Sequence, residues 1–140
     1  MEKEVIILMA EPDDEGFAMA EKSLQKAGVH NELIRFNDRE KIVSFLNDQK
    51  KESTGEIKRF LLILNMGTEG VSLLDEIKQH EKYKKIPVVL MCDGNESDIS
   101  DYYRKGCSVF IEKPDEANQF NESIKKIGKF LNVIKVPQAF

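Results

Sequence analysis

The chain has 140 residues, of which 41% are hydrophobic and 33% charged, and it carries a formal net charge of −4 with a pI of about 5.3. This length suits one domain whose core needs neither disulfides nor metals. The excess of acidic residues disfavours general nucleic-acid binding. A membrane-spanning helix needs about 20 consecutive apolar residues, and no run in the sequence approaches that length. Because the N-terminus also lacks the features of a signal peptide, we expect a cytoplasmic protein.

Apolar runs alternate along the chain with segments of helical period. The first run, Val-Ile-Ile-Leu-Met at 5–9, is continuous, which is typical of a strand buried on both faces. In the segment that follows, Phe17, Ala20, Leu24 and Ala27 fall on one face of a helix. In chain order we predict a strand at Glu4–Ala10, a helix at Asp14–Ala27, a strand at Asn31–Phe36, a helix from a cap at Asn37 or Asp38 to Gln49, a loop at Lys50–Lys58, a strand at Phe60–Leu64, a helix at Val71–His80, a strand at Ile86–Met91, a helix at Ser97–Lys105, a strand at Cys107–Glu112 and a helix at Asp115–Leu131.

This repetition of strand and helix predicts an α/β fold with a parallel, doubly wound sheet. We expect one domain at 1–131 and a tail at 132–140 that packs on the domain or on a second subunit. In such sheets, ligands bind beyond the carboxyl ends of the strands. The residues that follow those ends, and that we therefore expect to converge, are Glu11, Pro12, Asp13, Asn65, Cys92, Asp93 and Lys113.

Several segments carry a resemblance to a known family. They include Leu-Leu-Asp-Glu-Ile-Lys at 73–78, Lys-Ile-Pro-Val-Val-Leu at 85–90 and Arg-Lys-Gly-Cys-Ser-Val-Phe-Ile-Glu-Lys-Pro at 104–114. On these residues the chain resembles a response-regulator receiver domain of bacterial two-component signalling. The segments at 27–33 and 132–137 look like those of stand-alone receivers that partner phytochrome-type sensor kinases. The resemblance implies a flavodoxin-like sheet of five parallel strands in the order 2-1-3-4-5, with helices on both faces.

An active receiver of this family holds its chemistry at the carboxyl ends of the strands. An aspartate after the third strand accepts a phosphoryl group from a histidine kinase. Acids after the first strand hold Mg²⁺ together with that aspartate, and the ion neutralises charge during transfer. A hydroxyl residue after the fourth strand, an aromatic on the fifth and a lysine after the fifth respond to the added phosphate.

The acidic positions of this chain depart from that pattern. Glu11 matches the first acid, but the second falls on Pro12, and Asp13 comes one residue later. Asn65 stands at the phosphoacceptor position, where its amide oxygen is a far poorer nucleophile than a carboxylate. The loop after the third strand is shorter than is typical of the family, so a shifted alignment places Ile63 at that position instead. Neither alignment supplies an aspartate, and we expect no metal site.

The switch positions depart as well, whereas the lysine is retained. Cys92 replaces the hydroxyl residue, and a thiol is a weak hydrogen-bond donor. Phe110 keeps the aromatic ring without a hydroxyl group. Lys113 matches the family lysine in full, and we expect it to contact Asn65 or Glu11.

Tyr102, Tyr103 and Phe110 mark a candidate partner face. In receivers, the face made by the fourth helix, fifth strand and fifth helix docks partners or a second copy, and an exposed aromatic there indicates such a surface. The resemblance implies a sensor kinase or another signalling protein as partner. It also implies a possible homodimer through this face and the tail at 132–140. We expect neither nucleic acid nor membrane as a partner.

The leading hypothesis is a non-phosphorylatable receiver, or pseudo-receiver, that acts as a protein-interaction module without cofactor or enzymatic activity. One alternative is phosphorylation at another acid, such as Asp13 or Asp93. A second alternative is a flavodoxin-like nucleotide or flavin binder. The acidic turn at 10–16 disfavours it, because phosphate cradles need glycine-rich backbone amides.

Overall fold

The computed structural model describes residues 1–49 and 57–140, and in these ranges strands and helices alternate strictly. Residues 50–56, most of the predicted loop at 50–58, lie outside the described residues. None of the helices in the described ranges is long and apolar enough to cross a membrane. The elements are β1 (Val5–Ala10), α1 (Asp14–Lys26), β2 (Leu33–Phe36), α2 (Arg39–Asp48), β3 (Arg59–Leu64), α3 (Thr68–Gln79), β4 (Val88–Cys92), α4 (Glu96–Arg104), β5 (Val109–Glu112) and α5 (Ala117–Leu131).

The strands form one parallel sheet in the order β2-β1-β3-β4-β5. Ile7 of β1 lies opposite Leu33 of β2 on one side and Leu61 of β3 on the other. Placing β1 and β3 at the centre explains why their apolar runs are continuous, since both faces of these strands are covered. The predicted fold class and strand order are confirmed.

Several boundaries differ from the prediction for local reasons. The strand β2 starts at Leu33 rather than Asn31, because the Asn31 amide donates hydrogen bonds to the carbonyls of Glu2 and Val5, at 2.8 and 2.9 Å. The helix α3 starts at Thr68, where Gly67 with a φ of 61° turns the chain after β3, and α4 starts at Glu96, where Asn95 and Asp98 form a capping box. The remaining shifted starts are Val5 for β1, Arg59 for β3, Val88 for β4, Val109 for β5 and Ala117 for α5.

The core has two layers, one on each face of the sheet. One layer packs α2, α3 and α4 against Leu8 and Ala10, and the other packs α1 and α5 against Ile7 and Met9. Successive side chains of a strand point to opposite faces of the sheet. The residue directly after a strand continues this alternation, so its side chain lies on a predictable face. In the second layer, Gly128 allows α5 to approach α1 closely, since a β-carbon there would lie 2.6 Å from that of Ala27.

The tail at 132–140 packs on its own domain. Val136 joins the α1 and α5 layer, whereas Ala139 is buried in the layer on the opposite face. The tail therefore crosses the amino-terminal edge of the sheet, where the Arg59 guanidinium donates to the Val136 carbonyl at 2.6 Å. The backbone N–H of Ala139 donates to the carbonyl of Lys58 at 2.8 Å.

Candidate functional site

The carboxyl ends of β1, β3 and β5 surround an open cavity of about 380 Å³, called here the carboxyl-edge cavity. It lies at the edge where the topology of a parallel sheet places ligand sites. Its wall combines the β1–α1 turn, the end of β3, the β5–α5 connection and one apolar side. The lining residues are Glu11, Pro12, Asp13, Gly16, Met19, Asn65, Met66, Lys113, Pro114, Asp115, Glu116 and Phe120.

Glu11 places a carboxyl group deep in the wall of this cavity. Its side chain is only 3% exposed. It packs so closely against Gly16 at the start of α1 that a β-carbon on Gly16 would collide with its carboxylate. Burial raises the pKa of the Glu11 carboxyl, and the neighbouring Lys113 ammonium partly opposes this rise.

Two side chains, Asp13 and Arg35, hold the β1–α1 turn in place, and Arg35 was not among the predicted site residues. Asp13 caps α1, accepting a hydrogen bond from the backbone N–H of Gly16 at 2.7 Å. Arg35 of β2 donates to the carbonyls of Glu11 and Pro12, at 3.0 and 3.1 Å, and pairs with Asp14. The acidic turn is thus fixed in place, with the Pro12 ring offering no polar side-chain atom.

Asn65 follows β3 and turns its amide toward Glu11. Its side chain is 1% exposed, and neither amide atom has a hydrogen-bond partner among the described residues. The amide still lies near enough to the Glu11 carboxyl to oppose slightly the rise in its pKa, but outside good hydrogen-bond geometry. A buried donor and acceptor without partners is an uncommon and unfavourable arrangement in folded proteins.

Lys113 lies at the rim of the cavity, exposed to solvent. Its backbone N–H donates to the carbonyl of Cys92 at 3.3 Å, which aligns the ends of β4 and β5. The expected contact with Asn65 or Glu11 does not form as a hydrogen bond or ion pair in the described residues. Lys113 therefore acts on Glu11 through its charge alone.

Cys92 is not among the residues that line the carboxyl-edge cavity. It continues the side of β4 that carries Leu90, and it packs in the layer of α2, α3 and α4 beside Tyr102. Burial raises the pKa of the Cys92 thiol, which is opposite to the lowered pKa of a reactive cysteine. Cys92 and Cys107 are both free thiols.

The three aromatic residues of the predicted partner face differ in exposure. Tyr102 is buried, its hydroxyl donates to the carbonyl of Asp93 at 3.2 Å, and burial raises its pKa to about 12. The ring of Phe110 packs against Tyr102 with centroids 5.3 Å apart. Tyr103 is 48% exposed, and its hydroxyl accepts a hydrogen bond from the backbone N–H of Phe110 at 3.1 Å. Of the three predicted residues, Tyr103 is therefore the most exposed to solvent.

The residues present do not fit the Mg²⁺ site that the resemblance implies. Magnesium prefers an octahedral set of oxygen ligands that includes carboxylates. Of the three carboxylate positions, Glu11 keeps its carboxylate, but Pro12 has no side-chain ligand atom and Asn65 carries an amide. The neighbouring Asp13 carboxylate is engaged as a helix cap. No cluster of three or more histidine, cysteine, aspartate or glutamate side chains suited to a metal occurs in the described ranges.

Replacing Glu11 with glutamine should raise the stability of the protein near neutral pH. The pKa of Glu11 is higher in the folded state than in the unfolded chain, so the folded state binds this proton more tightly. The corresponding stability is present below the unfolded pKa and is lost as the pH rises through the folded pKa. Glu11→Gln removes that loss. Urea unfolding should therefore show a stability gain near neutral pH that disappears at about pH 3 to 4, where a free glutamate is largely protonated.

Asp13→Ala serves as the control for this prediction, because it removes an acid from the same turn with the opposite expected sign. Losing the helix cap should lower the free energy of unfolding by about 1 kcal/mol. A Glu11→Gln variant that is less stable than wild type near neutral pH would contradict the prediction.

Comparisons with known proteins agree with the observed fold. No family model matches the chain. A response regulator receiver domain from Rhodospirillum rubrum has a crystal structure that is 30% identical and covers 96% of this chain and 98% of its own, with a TM-score of 0.79. The response regulator Rcp1 of Synechocystis sp. is 27% identical over 138 residues, which are 96% of this chain and 94% of Rcp1. The phosphorylated cyanobacterial phytochrome response regulator RcpA is 25% identical, covers 95% of this chain and 98% of its own, and superposes with a TM-score of 0.74.

These likenesses extend over nearly the full chain and include the parallel sheet and the five helices. The chain therefore belongs to the response-regulator receiver domains of two-component signalling.

Proposed function

We propose that this receiver does not accept a phosphoryl group and that it acts as a protein-interaction module whose working conformation is independent of phosphorylation. The observation that carries the proposal is Asn65, buried at the end of β3 where an active receiver has its acceptor aspartate. An amide does not form the acyl phosphate that a carboxylate forms.

Two further positions support the proposal. Pro12 cannot supply the second acidic ligand, so an incoming phosphoryl group would lack the metal charge that neutralises it during transfer. Cys92 offers a weak hydrogen-bond donor in place of a hydroxyl group. Its side chain packs on the face of the sheet that α2, α3 and α4 cover. The residues at positions 12, 65 and 92 therefore affect phosphoryl acceptance, charge neutralisation and the response to phosphate together.

A receiver works through contacts with sensor kinases or other signalling proteins. We propose that this chain makes such contacts in the cytoplasm through the face formed by α4, β5 and α5. The exposed ring of Tyr103 lies on this face and is held in place by its hydrogen bond to Phe110. The same face, with Phe130 half exposed on α5, is the proposed surface of a homodimer.

Incubation with acetyl phosphate and Mg²⁺, followed by intact-mass analysis, tests the proposal. We expect the mass of the wild-type chain to stay unchanged. A Mg²⁺-dependent, acid-labile gain of one phosphoryl group would overturn it. Borohydride trapping and peptide mapping would then show whether Asp13 or Asp93 had accepted the group, which is the alternative of a non-standard acid.

A further inference from the structure

The carboxyl-edge cavity contains a buried amide that the protein itself leaves unsatisfied. Asn65 is 1% exposed, and its oxygen and nitrogen both lack a hydrogen-bond partner among the described residues. A folded protein pairs nearly all such groups, because desolvating an unpaired donor or acceptor is unfavourable. Asn65 is among the residues that line the cavity, so a molecule placed there would lie next to this side chain.

The charges around the cavity select the kind of molecule. Four carboxylate side chains line it, from Glu11, Asp13, Asp115 and Glu116, against the single ammonium of Lys113. This excess of negative charge around the cavity favours a cationic ligand and disfavours an anionic one. Glu11 is the most important of the four, because it is buried beside Asn65 and its carboxylate has no hydrogen-bonded cation among the described residues.

The remaining wall is apolar. Met19 of α1, Met66 after β3 and Phe120 of α5 supply apolar side chains to the lining. Small-molecule sites typically combine such a wall with a few converging polar groups. The cavity volume of about 380 Å³ falls within the range that is usual for these sites.

We propose that the carboxyl-edge cavity binds a small organic cation in which a protonated amine stands beside a carbonyl or hydroxyl oxygen on an apolar body. The amine would donate to the Glu11 carboxylate and to Oδ1 of Asn65, and the ligand oxygen would accept from Nδ2 of Asn65. The apolar body packs on Met66 and Phe120. The inference rests on the proposed function, because an active receiver would commit the same position to its phosphoryl group.

The test uses L-phenylalaninamide as the probe, since it joins a protonated amine, a carboxamide oxygen and a phenyl ring. Titration of the probe into the 140-residue chain is monitored by isothermal calorimetry and by backbone amide shifts in ¹H–¹⁵N spectra. We expect saturable binding with a dissociation constant of about 1 mM or lower, and shifts centred on Glu11, Asn65 and Met66. N-acetyl-phenylalaninamide lacks the charge and 3-phenylpropionate reverses it, so both should bind at least about tenfold more weakly.

Variants of the chain separate recognition from folding. Asn65→Ala and Glu11→Gln should each weaken binding of the probe about tenfold or more. Lys113→Met removes the competing positive charge from an exposed rim position, so it should strengthen binding about two- to fivefold, an effect that a folding defect would not imitate. The matched control is Glu40→Gln, an exposed acid on α2 outside the cavity, which should leave binding unchanged.

Absence of saturable binding, equal binding of 3-phenylpropionate, or unchanged binding in Lys113→Met and Asn65→Ala would each overturn the inference. The acetyl phosphate experiment on the same preparation distinguishes this failure from that of the proposed function. A chain that stays unphosphorylated and does not bind the probe refutes only the ligand site, whereas a chain that becomes phosphorylated refutes the proposed function.

Discussion

The double variant Pro12→Asp/Asn65→Asp should become phosphorylated by acetyl phosphate in the presence of Mg²⁺, while the wild-type chain stays unmodified. The change restores the acceptor carboxylate at the end of β3 and the second acid of the β1–α1 turn. Glu11 already supplies the remaining acid of the constellation. Because Lys113 is also present at the rim, these two substitutions supply the missing charged groups.

Both substitutions are required for physical reasons. Asn65→Asp alone places a second carboxylate beside the buried Glu11, and two neighbouring acids disfavour each other's ionisation. That single variant should lose about 1 to 3 kcal/mol of stability near neutral pH and should react poorly. Adding the acid at position 12 supplies a ligand for Mg²⁺, which neutralises the carboxylates and the incoming phosphoryl group. The double variant should then react faster than either single variant by about two orders of magnitude or more.

Intact-mass analysis over a time course, with and without EDTA, measures this gain. The control Pro12→Asp/Asn65→Ala keeps the added metal ligand but lacks an acceptor, so it should stay unmodified. Phosphorylation of that control, or of the wild-type chain, would show that another acid accepts the group. A folded double variant that binds Mg²⁺ and yet stays unmodified would contradict the prediction itself.

The central part of the fold follows from hydrophobic pattern alone. The runs at β1 and β3 are apolar without interruption because both faces of these strands are covered by helices. The edge strand β2 was predicted to begin too early, since an asparagine amide that satisfies two distant carbonyls leaves no local pattern. The capping box of Asn95 and Asp98 has a recognisable spacing that was not used, and the predicted start of α4 at Ser97 lies one residue after the observed start.

The convergence of Glu11, Asn65 and Lys113 followed from topology, because parallel strands bring their carboxyl ends to one edge. The orientation of Cys92 was missed, although the alternation of side chains along β4 carries the signal: Leu90 and Cys92 share a face. The clamp of Arg35 on the β1–α1 turn depends on side-chain geometry between elements that are distant in sequence. No spacing within the sequence encodes those contacts.

The substitution Val136→Asp should lower the free energy of unfolding by at least about 3 kcal/mol. Val136 is 3% exposed, and loss of a buried valine side chain removes about 1.5 to 3 kcal/mol of apolar burial. A carboxylate at this position would also be desolvated without a suitable partner, which adds to the loss. Since small domains are stable by only about 5 to 15 kcal/mol, one substitution in the tail should remove a large part of the total.

The tail contributes this much to stability because it connects the two core layers across the amino-terminal edge of the sheet. Arg59 holds the Val136 carbonyl, and beyond it the ring of Phe140 packs edge to face on Phe60 with centroids 6.1 Å apart. Loss of the anchor at Val136 should therefore also expose the start of β3. Urea unfolding monitored by circular dichroism measures the change, and amide hydrogen exchange should show faster exchange first at Arg59 and Phe60.

Val133→Asp is the matched control, because Val133 lies in the same tail but is 79% exposed. It should change stability by no more than about 0.5 kcal/mol at any protein concentration. The pair of variants also separates the two places where the tail was expected to pack. If the tail instead covered a second subunit, the exposed valine would become the sensitive position, and the melting temperature of Val133→Asp would fall in a concentration-dependent way. That outcome, with a stable Val136→Asp, would contradict the intramolecular packing described above.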